Sequence, residues 1–244
     1  MRKLNTEYKK LVRTVLDEGY VVEGRNGKTL QIPFYSFTID DMENDHLLTL
    51  RKMYTKGIEG EFNTLVSPIR LENVRQFERN ECNYWKKWAG PDGELNLDYW
   101  NELHPALEDL IYNMRRDPYS RRHVISLWNN RRLTKEGLKE ISLPCCWHNM
   151  TFIVEKDRLH MVWTQRSVDV FYGLPSDIYL AYLFMNHIRD NINLYFTDSL
   201  KTASCMFSLA NVHIYEEHIP CAKELLGRSA MDDEEKLPCE GVKA

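Results

Sequence analysis

The stretch from Leu143 to Asp177 restricts the fold more than any other part of the chain. Two runs rich in apolar, β-branched and aromatic residues flank Glu155-Lys156-Asp157-Arg158, the pattern of a β-hairpin closed by a short polar loop. With the turn centred near residue 156, Cys146 faces the neighbourhood of Arg166 and Ser167. A thiol beside a guanidinium favours the thiolate, because the cation stabilises the charged form. A core cysteine under a sheet fits the same pattern, so both readings stand at this point.

Around the hairpin the pattern alternates between helix and strand. Leu4, Tyr8, Leu11, Val12, Val15 and Leu16 recur at helical spacing and stop before Gly19. Val21 to Pro33 reads as a strand pair about the Asn26-Gly27 turn, and 47–66 as a helix stopped by Ser67-Pro68. His104 to Arg116 is a second amphipathic helix and Val124 to Trp128 a short strand. A fourth helix is expected over Pro175 to Asp190, with Asp177 in its opening turn near the positive end of the helix dipole. One α+β domain over 1–244 is expected, with an acidic, mobile tail from about 229.

Length and composition narrow the function. At 244 residues and 43% hydrophobic, the chain can bury a sizeable core. A formal charge of -4 argues against a general nucleic-acid binder, so an anionic ligand must be met by local arginines. Six cysteines form no CxxC pairs, and adjacent Cys145-Cys146 make a poor tetrahedral metal site. No metal is expected, and reduced thiols in a cytoplasmic compartment are. No apolar run approaches the ~20 residues of a membrane span. His148 lies two residues from Cys146 with no third group to orient it, a weak basis for a Cys-His hydrolase.

Five motifs occur in order. They are His46-Leu47-Leu48-Thr49-Leu50-Arg51-Lys52 leading to Gly60-Glu61; Asp117-Pro118-Tyr119-Ser120-Arg121-Arg122 with Trp128-Asn129; Leu143-Pro144-Cys145-Cys146; Gln165-Arg166-Ser167-Val168-Asp169-Val170-Phe171-Tyr172-Gly173-Leu174-Pro175; and Asn211-Val212-His213-Ile214-Tyr215. Together they resemble the thymidylate synthase family, and within it the deoxycytidylate hydroxymethylase branch. The resemblance covers most of the chain. It implies a thymidylate synthase-like α+β fold with a mixed, largely antiparallel sheet, flanking helices and a sheet-mediated homodimer.

The resemblance also assigns roles. Cys146 is the implied nucleophile, with Arg166 beside it; Glu61 handles proton transfers and Tyr99 helps remove the C5 proton. Arg25, Arg166 and Ser167 would hold the nucleotide phosphate, with Arg121 and Arg122 crossing from the partner subunit. Gln165 and Asp177 would meet the base, and His213 and Tyr215 the sugar. Asp169, Gly173, Tyr84 and Trp85 would face the folate, 5,10-methylenetetrahydrofolate being the implied one-carbon donor. No membrane or nucleic-acid partner is implied; a phage modifying its DNA cytosines would have use for such an enzyme.

The departures carry the specificity. Thymidylate synthases have asparagine where this chain has Asp177, and an asparagine amide satisfies both the N3–H and O4 of uracil. A carboxylate instead accepts from the cytosine amino group and from a proton held on N3, and repels O4. Each mismatched buried polar group costs ~1–3 kcal/mol, enough to invert base preference. A cytidylate substrate is therefore expected. An enzyme acting on dUMP remains one alternative, because Asp177 would also suit a helix start, and a dCMP methyltransferase another, because hydride from the folate in place of water would give the methyl product. The terminal Glu240-Gly241-Val242-Lys243-Ala244, in place of a short apolar tail, leans toward the hydroxymethyl product. Trp147, Thr151, Ala210 and Asn211 also replace the family's histidine, glutamine, glycine and aspartate.

Overall fold

The computed structural model describes residues 2–24, 26–95, 98–128, 145–195 and 199–228, with backbone only for 87–88 and 98–102. Its elements are α1 (Lys3–Glu18), β1 (Tyr20–Gly24), β2 (Gly27–Ile32), β3 (Tyr35–Ile39), α2 (Thr55–Leu65), α3 (Arg75–Arg79) and α4 (Asp98–Arg116). They continue with β4 (Val124–Ser126), β5 (Trp147–Glu155), β6 (Arg158–Asp169), α5 (Gly173–Asn193), β7 (Lys201–Tyr215) and α6 (Ile219–Gly227). One sheet runs β1-β2-β7-β6-β5-β4, and β3 pairs with β7 beside the β2 contact. All pairings are antiparallel except β6 with β7, whose intervening α5 supplies the crossover. This is the mixed, mostly antiparallel α+β sheet with flanking helices that the resemblance implied.

The β5–β6 hairpin stands where the alternation placed it. Glu155 pairs with Arg158 and Ile153 with His160, and Lys156 takes φ 56° in the turn. A register shift between Trp147 and Asn149 then sets Trp147 opposite Gln165. Along β6, Leu159, Met161, Trp163 and Gln165 are buried while His160, Val162, Thr164 and Arg166 are not, the period-2 signature of one covered face. Helix α5 covers that face with Ile178, Ala181, Phe184, Met185 and Ile188. Trp147, Trp163 and Phe184 form one aromatic cluster, with centroids 4.8 to 6.2 Å apart.

Three expectations change. Residues 47–54 are not helical; the helix begins at Thr55. The connector is pinned by Asn5, whose Nδ2 donates to Thr49 Oγ1 at 2.8 Å and whose Oδ1 accepts from Thr49 N at 3.2 Å. Leu48 and Leu50 are buried at alternate positions, so the apolar run is an extended segment rather than a helical stripe. Helix α5 begins at Gly173, which puts Asp177 beyond the first turn and removes its role as a helix start. The long strand β7 was visible beforehand only as its His213-x-Tyr215 end. Among the described cysteines, Cys82, Cys145, Cys146 and Cys205 are outside any disulfide, whereas Cys221 is disulfide-bonded, contrary to the expectation of reduced thiols throughout. No helix among the described residues is long and apolar enough to cross a membrane.

Candidate active site

The chemistry-bearing residues collect where β6 ends and α5 begins. Cys146 is exposed, one residue before β5, while its neighbour Cys145 is buried. Arg166 locks this bend from the next strand: its backbone N–H donates to Cys146 O at 2.9 Å and its Nε to Cys145 O at 2.9 Å. That leaves Nη2 3.9 Å from Cys146 Sγ. The guanidinium also lies 5.8 Å from the Trp128 ring centroid, and Trp128 meets His148 edge-on at 6.1 Å. Burial first, then Arg166, lowers the His148 pKa and keeps that ring neutral. Of the two readings open for Cys146, the accessible thiol beside a cation is the one observed; the core cysteine is Cys145.

Two carboxyl groups face each other across α2 and α5. Glu61 is 9% exposed and accepts a hydrogen bond from Trp85 Nε1 at 3.2 Å. Burial, followed by the nearby Asp177 charge, raises its pKa to about 8. Asp177 Oδ2 accepts from Gln165 Nε2 at 2.7 Å, and burial raises its pKa to about 7. Glu61 can sit so close to the loop after α3 because residue 60 is glycine: a Cβ there would lie 1.7 Å from Asn80 O. Tyr84 packs on the same helix from the 84–88 turn, and burial raises its pKa.

The end of β6 continues the site. Ser167 pairs with Asn211 and Asp169 with His213 across the parallel β6–β7 ladder. Asp169 Oδ1 accepts from Phe171 N at 2.9 Å and shapes the turn into α5. His213 Nδ1 donates to Asn211 Oδ1 at 2.9 Å, and Asn211 Nδ2 donates to Gln31 Oε1 at 3.0 Å. Burial lowers the His213 pKa, so its free Nε2 is an acceptor. Tyr215 meets His213 edge-on at 5.4 Å. The asparagine that replaces the family's aspartate thus ties β7 to β2. Trp147, replacing a histidine, belongs to the core.

Not every expected residue joins this cluster. Arg121 and Arg122 are exposed in the turn before β4. Val124 pairs with Thr151, so Arg122 projects beyond Thr151 along β5, away from Cys146. At about 3.3 Å per residue, that is roughly 20 Å from the thiol. Arg25, the Tyr99 side chain and the terminal tail lie outside the described residues. Arg51 was passed over: it is 9% exposed, with its guanidinium 4.9 Å from the Phe171 centroid and 5.3 Å from that of Tyr172. The Arg51-Lys52 pair that interrupts an otherwise largely apolar run was its signal. No metal-binding group of three or more His, Cys, Asp or Glu occurs among the described residues.

The arrangement offers an accessible thiol with its cation, a proton-holding carboxyl pair and hydrogen-bonding groups at a strand end. The Thymidylate synthase family profile matches residues 6–240. A thymidylate synthase of Corynebacterium aurimucosum is 30% identical over 241 residues, 92% of this chain and 83% of that relative. The family's one-carbon donor is 5,10-methylenetetrahydrofolate. A fit to it is seen in the half-buried rings of Tyr84, Trp85 and Tyr172 and in the open backbone at Gly173, where a Cβ would meet nothing nearer than 3.8 Å. The chain therefore belongs to the thymidylate synthase family, whose members carry out folate-dependent one-carbon transfer to C5 of a pyrimidine nucleotide.

Proposed function

We propose that this protein converts dCMP to 5-hydroxymethyl-dCMP. The observation that carries the reading is Asp177: an acceptor-only carboxylate, held by Gln165 and set against Glu61, at the position where thymidylate synthases present an amide. When ionised it matches the amino proton of cytosine and a proton on N3, and it opposes O4 of uracil. Its raised pKa means that a proton is available to the base–Asp177 pair near neutral pH. A proton on N3 draws electron density from C6 and eases attack there.

In this reading Cys146 Sγ adds to C6, with Arg166 stabilising the sulfur anion before attack. Addition makes C5 nucleophilic, and C5 takes the one-carbon unit supplied by methylenetetrahydrofolate. The C5 proton leaves with help from Tyr99, while Glu61 relays protons. Water adds to the resulting exocyclic methylene, the Cys146–C6 bond breaks, and the hydroxymethyl nucleotide departs with tetrahydrofolate as co-product. Arg25, Arg166 and Ser167 hold the phosphate. His213 Nε2 and Tyr215 receive the sugar, and Asp169, Gly173, Tyr84 and Trp85 line the folate side.

Arg121 and Arg122 complete the phosphate site from the second subunit of a homodimer. Their distance from Cys146 within one chain supports this, as do the exposed apolar residues Val124, Ile153 and Met206 on three strands of the sheet. The deciding assay offers dCMP and dUMP separately with methylenetetrahydrofolate and weighs the product. Turnover of dCMP with a gain of one CH2O unit is expected. A gain of CH2 alone, or preference for dUMP, overturns the proposal.

A further inference from the structure

Gln165 is fully buried on the central strand β6, between Trp147 of β5 and Leu209 of β7. Its side chain has no freedom to turn outward. Its Nε2 donates to Asp177 Oδ2 at 2.7 Å, while its own Oε1 is buried without a partner among the described residues. A buried acceptor left unpartnered costs ~1–3 kcal/mol, so this orientation is maintained against a penalty. An ionised carboxylate accepts only, and it can be met only by the amide's N–H end. The hydrogen bond therefore engages one carboxylate oxygen and leaves Oδ1 as the atom offered to a ligand.

Resting on the dCMP reading above, we propose that Gln165 is a specificity-determining positioning residue. It dictates which end of residue 177 faces the base, and so whether the pocket reads an amino group or a carbonyl. With the glutamine N–H group fixed inward, a carboxylate at 177 turns an acceptor to the ligand. An asparagine at 177 would meet the same N–H with its carbonyl oxygen and turn its own NH2 outward, matching O4 of uracil. A carboxylate at 165 would reverse that asparagine, drawing its NH2 inward and presenting its carbonyl to the base.

The consequence is a reversal that a merely structural glutamine would not produce. Asp177→Asn alone should shift the ratio of kcat/KM for dCMP over dUMP toward dUMP by about a hundredfold. Adding Gln165→Glu to that variant should return the ratio toward dCMP by at least about tenfold. The test measures that ratio, and the Kd of each nucleotide, for the wild type, the two single variants and the double variant. Circular dichroism confirms that each is folded, and Gln165→Met substitutes wherever the glutamate variant does not fold. Gln165→Met should weaken discrimination mainly by raising the dCMP KM relative to the dUMP KM. A double variant that keeps the dUMP preference of Asp177→Asn, or a Gln165→Met variant with unchanged discrimination, overturns the proposal. A wild type preferring dUMP would instead refute the dCMP reading. The direction of the shift on adding Gln165→Glu would still report the role of Gln165.

Discussion

The setting of the Cys146 thiol is fixed by what surrounds one bend of backbone. Arg166 engages the carbonyls of both Cys145 and Cys146 and places Nη2 3.9 Å from the sulfur. Cys146→Ser should reduce kcat at least about a thousandfold while leaving nucleotide affinity near its wild-type value, as read by isothermal titration. The two carboxyl groups give a second residue-level test. Glu61 is raised to about 8 first by burial and then by Asp177, so Asp177→Asn should lower the limb of the pH–rate profile that Glu61 sets. Both groups bind protons more tightly folded than unfolded. Their contribution to stability is therefore fully present below about pH 4 and lost as pH rises through 7 to 8. Asp177→Asn should accordingly raise Tm at pH 8, by about 2 kcal/mol in stability, and much less at pH 5. A Tm difference independent of pH would contradict this.

At the level of elements, the site depends on close approaches that side-chain volume alone decides. Helix α2 lies against the loop after α3 because residue 60 has no Cβ, and Glu61 rides on that contact. Gly60→Ala should cost roughly 1–3 kcal/mol in thermal unfolding and misplace Glu61, lowering kcat in the fraction that remains folded. The β5–β6 hairpin works differently. Its register is set by alternation and by the Lys156 turn, and with it the pairing of Cys146 with Arg166. Residues 47–54 illustrate the opposite case. Leu47, Leu48 and Leu50 satisfy a helical pattern locally, but the side chain of Asn5, more than forty residues away, bonds both the backbone and the hydroxyl of Thr49. Local pattern cannot anticipate a partner at that separation.

At the scale of the whole molecule, the exposed arginines of the turn before β4 stand apart from the Cys146 thiol within one chain. Arg121 and Arg122 lie away from Cys146 along the strand direction, and Val124, Ile153 and Met206 leave apolar surface on the sheet. If a second copy supplies the arginines, mixing inactive Arg122→Ala and Cys146→Ser variants should restore about a quarter of wild-type activity, because each mixed dimer then holds one intact site. An inactive mixture, with subunit exchange verified by mass spectrometry, would place the arginines outside the site.

Sequence alone determined the hairpin, the bounds of α1, the C-terminal end of α4, the start of β4, and the candidacies of Cys146, Arg166, Glu61 and Asp177, because each is written in neighbouring residues or in a motif of fixed spacing. Tertiary structure decided which of two adjacent cysteines is exposed, where α2 begins, and that β7 pairs in parallel with β6. It also decided that Asp177 turns to Gln165 instead of starting a helix. These depend on contacts between segments far apart in the chain, where burial and hydrogen-bond partners are set by packing rather than by local order.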